Sequence, residues 1–141
     1  MPDTKSIQFL SIWDRSIRDM GTVRIEYKCV GVDSVNREEI LVSGPCVYCF
    51  GLAHGKQYFV YSSNDLKYPR GVAVDKEDNI YVVGNGSNNI HKLSPDGVTL
   101  QIIAFKVPRK QREISFGHNR ENFVTTNLGA KHSQLNYFVH K

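Results

Sequence analysis

Apolar residues along the chain come in short runs of four to seven positions, broken by clusters of glycine, proline, asparagine and aspartate. The clearest series is Gly71-Val72-Ala73-Val74-Asp75, a charged turn, Asn79-Ile80-Tyr81-Val82-Val83-Gly84, a polar loop, Ile90-His91-Lys92-Leu93, and then Pro95-Asp96-Gly97 before Val98 to Ala104. Runs this short, rich in β-branched and aromatic residues and bounded by turn formers, predict β-strands, and no helical period competes with them. The Val-rich run Gly71 to Asp75 reads as an innermost strand buried on both faces, with Gly71 letting a neighbouring backbone crowd close. The run Val98 to Ala104 reads as an outermost strand. Pro95-Asp96-Gly97 supplies a tight turn before it, with glycine at the position that tolerates positive φ.

The series repeats. Forty residues earlier, Gly31-Val32-Asp33 matches Gly71-Val72-Ala73, Glu39-Ile40-Leu41-Val42 matches Asn79 to Val82, Gly44 matches Gly84, and Val47-Tyr48-Cys49-Phe50 matches Ile90 to Leu93. About 42 residues later, Ile114-Ser115-Phe116 and Phe123-Val124 recur more loosely, and Leu135 to Phe138 arrives a few residues late. A period near 40 with four strands per unit predicts an all-β chain, a partial β-propeller of about three four-stranded antiparallel blades. The sequence divides into the end of a preceding blade (1–14), blade 1 (15–56), blade 2 (57–98) and a divergent blade 3 (99–141), with residues 7–12 reading as a third strand.

The string Leu66-Lys67-Tyr68-Pro69-Arg70-Gly71-Val72-Ala73-Val74-Asp75, followed by Asp78-Asn79-Ile80-Tyr81-Val82, Asn88-Asn89-Ile90 and Pro95-Asp96-Gly97, resembles an NHL repeat nearly from end to end. The resemblance is specific over residues 66–104, moderate over 29–60 and weak over 105–141. It implies fold-defining roles for Gly71, Asp75, Asn79, Pro95 and Gly97. It also implies a closed propeller, typically of six blades, of the kind found at the C-terminus of tripartite-motif ubiquitin ligases. Departures accompany the match: Asp33 stands where the pattern expects an apolar residue, and Arg112-Glu113 replaces the third unit's Pro-x-Gly lead-in. Nothing in the chain resembles a RING finger, a B-box or a coiled coil, so ligase chemistry is expected in other domains.

Propellers close with about 4–8 blades, and an open end exposes apolar blade surface. The chain is therefore expected to be a piece of a longer protein carrying the remaining blades. The alternative is a homodimer in which two copies complete a ring.

A hydrophobic content of 40% and a net charge of +4 suit a globular core with a weak preference for anionic partners. Without a signal peptide pattern or an 18-residue apolar span, the expected location is the cytoplasm, with Cys29, Cys46 and Cys49 reduced. Cys46-Val47-Tyr48-Cys49 spells C-x-x-C, but strand alternation turns the two sulfurs to opposite faces, against a shared metal. The five histidines show no ligand spacing and read as surface residues. Asp75 reads as a cap on the amides of its own turn rather than a channel ligand. No catalytic residue, cofactor or metal is expected, and the chain is not expected to be an enzyme.

Charge placement points to a binding face. If each first strand descends from one face of the disc, its lead-in and the loop between the second and third strands share that face. Arg24, Lys28, Lys67, Arg70, Lys106, Arg109, Lys110, Arg112 and Lys131 then stand there against Glu26, Asp65 and Glu113, and the opposite face is acidic. The candidate partner or RNA face comprises Lys28, Tyr68, Arg70, Asn85, Asn88, Asn89, Arg109, Lys110, Arg112 and Lys131, residue types that pair with anions, stack or hydrogen-bond. A solvated basic rim is the plain alternative. The expected function is recognition of a protein or RNA, as in the substrate-binding end of a tripartite-motif-like ubiquitin ligase. The alternative is a fragment of a propeller enzyme, of the calcium-dependent lactonase or amidating-lyase type.

Overall fold

A computed structural model of the chain describes residues 6–25, 28–36, 38–52, 55–105, 111–128 and 133–139. Among them are thirteen strands and no helix. A hairpin of β1 (Ser6–Trp13) and β2 (Ser16–Arg24) precedes two four-stranded sheets and a three-stranded one. The first sheet orders β3 (Gly31–Ser34), β4 (Glu39–Ser43), β5 (Val47–Gly51) and β6 (Gln57–Tyr61). The second orders β7 (Pro69–Val74), β8 (Ile80–Gly84), β9 (Asn89–Leu93) and β10 (Thr99–Ala104). The third holds β11 (Gln111–Phe116), β12 (Asn122–Leu128) and β13 (Ser133–Val139).

Every neighbouring pair is antiparallel and joined in chain order, so each sheet is a meander. The first strands β3, β7 and β11 lie side by side, and the sheets pack face to face behind them. This is the blade arrangement of a β-propeller. The repeat divisions 15–56, 57–98 and 99–141 are out of phase with the sheets. β6, which that division places at the head of a second unit, pairs instead with β5, and β10 likewise closes the sheet before residue 105. A repeat length sets the spacing of equivalent residues but not where one sheet stops.

Alternation sends the apolar residues of β4, β5, β7, β8 and β9 to both sides of their sheets. In β7, Val72 and Val74 turn back onto Leu41, Val47, Cys49 and Tyr61 of the first sheet, while Ala73 turns forward onto Ile114 and Phe123 of the third. In β4, Leu41 faces forward and Ile40 and Val42 face back onto Ile7 and Phe9 of the hairpin. Each fully buried Val, Leu or Ile contributes about 1.5–3 kcal/mol relative to exposure, so these two-sided joints hold the blades together. The outer strand β10 is mostly exposed, carrying Leu100 and Ile102 at the rim. The outer face of the hairpin leaves Leu10, Ile12, Ile17 and Met20 in solvent.

At the inner rim the backbones themselves touch. A Cβ on Gly71 would stand 2.8 Å from Arg112 O, Glu113 Cα and Ile114 N, all of the next blade, and one on Gly31 would stand 2.5 Å from Arg70 O. The same position in consecutive units thus makes the same close approach. Gly71→Ala is expected to destabilise the fold by about 1–3 kcal/mol through overpacking against backbone that cannot yield. A lowered denaturant midpoint with unchanged slope would register it.

Candidate functional site

The loop between β8 and β9 cradles the lead-in to β7. Tyr68 O accepts from the Asn85 amide at 3.1 Å, Lys67 O accepts from the Gly86 amide at 2.9 Å, and the Lys67 amide donates to Ser87 Oγ at 2.9 Å. Gly86 lies against the Tyr68 ring, leaving no room for a side chain. Pinned on both carbonyls, the chain turns through Tyr68 with φ at 52°, and the following buried Pro69 starts β7. A bulky residue in the left-handed region is uncommon and costs about 1–3 kcal/mol unless its surroundings impose it. The result is a tyrosine whose backbone is fixed by the loop and whose side chain is 73% exposed.

Of the basic residues expected on this face, Lys28 and Lys67 are exposed, and Arg70 and Arg112 are half-buried. The Arg70 carbonyl accepts from Ser43 Oγ of the previous blade. The three asparagines turn inward to the fold. Asn85 Nδ2 donates to Gln111 O at 2.8 Å across the blade joint, and Asn88 Nδ2 donates to Phe105 O at 3.3 Å. Asn89 is buried, donating to Asp65 O at 2.8 Å and accepting from Ser87 Oγ at 2.7 Å. Arg109, Lys110 and Lys131 lie outside the described residues.

On the opposite side, Asp75 organises the turn between β7 and β8. Its Oδ1 accepts from the amides of Glu77 at 2.9 Å and Asn79 at 3.0 Å, and its Oδ2 accepts from the Tyr81 hydroxyl at 3.2 Å and Asn79 Nδ2 at 3.4 Å. Burial first, and then the Asp75 carboxylate, push the Tyr81 phenol well above its ordinary value. Between β9 and β10, Pro95 is exposed at the turn and Gly97 takes φ 84° against the Phe59 ring.

An open groove of about 450 Å³ runs along the first strands, lined by Val32, Asp33, Ala73, Glu113, Ser115, His118 and Arg120 among others. Burial raises the Asp33 carboxyl above its usual range, while the Ser34 amide, Arg120 and the Val74 amide pull the other way. No three His, Cys, Asp or Glu side chains among the described residues converge to hold a metal ion. Cys29, Cys46 and Cys49 form no disulfide; Cys46 precedes β5 and Cys49 lies buried within it.

His91 overturns the reading of all five histidines as surface residues. It is fully buried in β9, bonded to Tyr61 Oη at 2.8 Å and Asp65 O at 3.2 Å. The repeat itself carried the signal: His91 occupies the position of Tyr48, which is buried in the preceding unit. Polarity alone masked it.

Residues 55–91 match the family model of a beta-propeller repeat. No curated protein matches the sequence. Among solved structures, the chain superposes on one in the Nidogen/Laminin complex with TM-score 0.79 and 14% identity, covering 95% of this chain and 54% of that one. It also superposes on a Bacteroides uniformis protein described as a 6-phosphogluconolactonase, with TM-score 0.65 and 13% identity, covering 99% and 51%. The chain thus spans about half the length of these neighbours, which share its fold.

Burial first, and Glu39 beside it, push the Cys49 thiol up to about 12. At pH 8 only about one molecule in 10,000 carries the reactive thiolate there. Native alkylation with iodoacetamide followed by mass spectrometry is expected to leave Cys49 unmodified until denaturant is added.

Proposed function

We propose that the chain is a non-catalytic recognition module that binds a protein partner through its lead-in face, with Tyr68 as the anchor. The carrying observation is Tyr68 itself, an exposed aromatic side chain locked by its own loop in the left-handed region. Preordered tyrosines contribute large contact area at little entropic cost and dominate many interfaces. The lead-ins expected to form this face carry Lys28, Lys67, Arg70 and Arg112 against Asp65 and Glu113, which favours a partner of net negative charge. A protein is favoured over RNA because the amides of Asn85, Asn88 and Asn89 are engaged within the fold. The likeness to a chain in the Nidogen/Laminin complex, a structure of two proteins bound together, supports the same class. The narrower reading, substrate recognition for a ubiquitin ligase of tripartite-motif type, is supported by the NHL-like residues 66–104 and places catalysis in other domains.

A second reading, a propeller hydrolase or lyase, is favoured by Asp33, Glu113 and His118 along the axial groove and by the likeness to a 6-phosphogluconolactonase. A calcium-dependent rise in melting temperature that Asp33→Asn abolishes would favour it over recognition.

Quantitative affinity capture with wild type, Tyr68→Ala and Arg70→Glu identifies partners that depend on this face, and titration calorimetry then measures them. Tyr68→Ala is expected to weaken binding by about 30-fold or more, about 2 kcal/mol, with the circular dichroism unchanged. Full affinity in both variants would overturn the assignment of this face. Loss of single-stranded RNA binding in Arg70→Glu would instead identify an RNA-binding module.

A further inference from the structure

The loop that cradles the lead-in to β7 carries the one Asn-Gly pair in the sequence, Asn85-Gly86, and the fold demands both residues. A Cβ on Gly86 would run into the Tyr68 ring and stand 3.2 Å from Lys67 Cβ, so glycine is required there. Asn85 Nδ2 donates to Gln111 O at 2.8 Å, a bond from the second blade to the first strand of the third, which a carboxylate cannot make. Asn-Gly pairs deamidate readily, because the glycine has no side chain to hinder attack of its nitrogen on the asparagine amide. Two bonds oppose that attack here. The Gly86 amide donates to Lys67 O at 2.9 Å, and the Asn85 side chain is drawn away to Gln111.

We propose that Asn85 is a deamidation site gated by opening of the joint between the second and third blades, and that the reaction leaves that joint loosened. In the open state the Gly86 nitrogen loses its proton to solvent and attacks Asn85 Cγ. A five-membered succinimide closes as the Cγ–Nδ2 bond breaks, and ammonia leaves with a proton returned from solvent. Water then adds to one of the two ring carbonyls and opens the ring. The product is aspartate, or isoaspartate when the chain continues through the former side-chain carbon. Either product undoes contacts of the closed joint. The new carboxylate and Gln111 O are two acceptors facing each other where a donor met an acceptor. Isoaspartate also inserts a methylene, about 1.5 Å of chain, between the Asn85 and Gly86 nitrogens. Those two amides hold the carbonyls of Tyr68 and Lys67 at 3.1 and 2.9 Å, so the added length puts the pair out of register. The left-handed turn at Tyr68 and the start of β7 depend on that register.

The test incubates the whole 141-residue chain, and a synthetic peptide of residues 81–91, at pH 8. Ion exchange follows the gain of negative charge, and mass spectrometry places the site. Two hydrogen bonds must break first, so the folded chain is expected to deamidate at Asn85 about ten- to a hundredfold more slowly than the peptide, and at the peptide's rate in urea. The slowing should be no smaller than the protection of the Gly86 amide in hydrogen exchange, because attack needs that bond open. An equal rate in folded chain and peptide, a slowing smaller than that protection, or no product in the folded chain once the peptide is fully converted overturns the proposal. Asn85→Asp reproduces the normal-chain product and is expected to lower amide protection in β11 by about tenfold. Unchanged protection there overturns the loosening. Should that variant not fold, the deamidated fraction of aged wild-type chain, separated by its added charge, gives the same reading.

Discussion

Two-sided burial is the constraint on which the rest depends. A four-stranded sheet whose strands are apolar on both faces, as in Ile80-Tyr81-Val82-Val83, cannot hide one face without a neighbour on the other. The sheets therefore stack, and stacking twisted sheets brings their first strands to a common inner edge. There the backbones close to contact at Gly31 and Gly71, and side chains such as Ser43 and Asn85 reach across to hold the carbonyls of the next blade. Stability is distributed over joints rather than concentrated in one core, in the manner of repeat proteins.

The candidate face is a by-product of that stacking. The loop between the second and third strands must bind the lead-in of its own blade and reach the next blade as well. Asn85, Asn88 and Asn89 do that bonding, and the strain needed to seat the loop is absorbed at Tyr68. What remains outside is the exposed ring of Tyr68. The same loops that secure the blades thus leave an exposed surface beside the joints.

The two sides of the blade are organised differently. Asp75 satisfies one turn almost alone, collecting two amides, an amide side chain and a buried hydroxyl. The outer joint instead depends on a buried histidine that meets Tyr61 and Asp65. Buried polar chains of this kind specify one arrangement of neighbouring sheets because any slip leaves several groups unpaired at once.

Strand positions, their order and the 40-residue period were readable in the sequence because alternation and turn chemistry are local properties. The proline–glycine turn at 95–97 belongs to the same class, and glycine at 71 was readable from its recurrence at 31, although the backbone it makes room for belongs to the next blade. The phase of the sheets, the inward turn of the three asparagines and the burial of His91 were not readable. Each depends on which group from a distant part of the chain arrives opposite, and that is fixed only when residues 17 to 38 positions apart meet, as Asn88 and Phe105, Asn89 and Asp65, Tyr61 and His91, and Tyr61 and Thr99 do. Polarity is a property of the residue alone. Burial belongs to the packed joint, where a hydrogen-bond partner can make a histidine as much a part of the interior as a tyrosine.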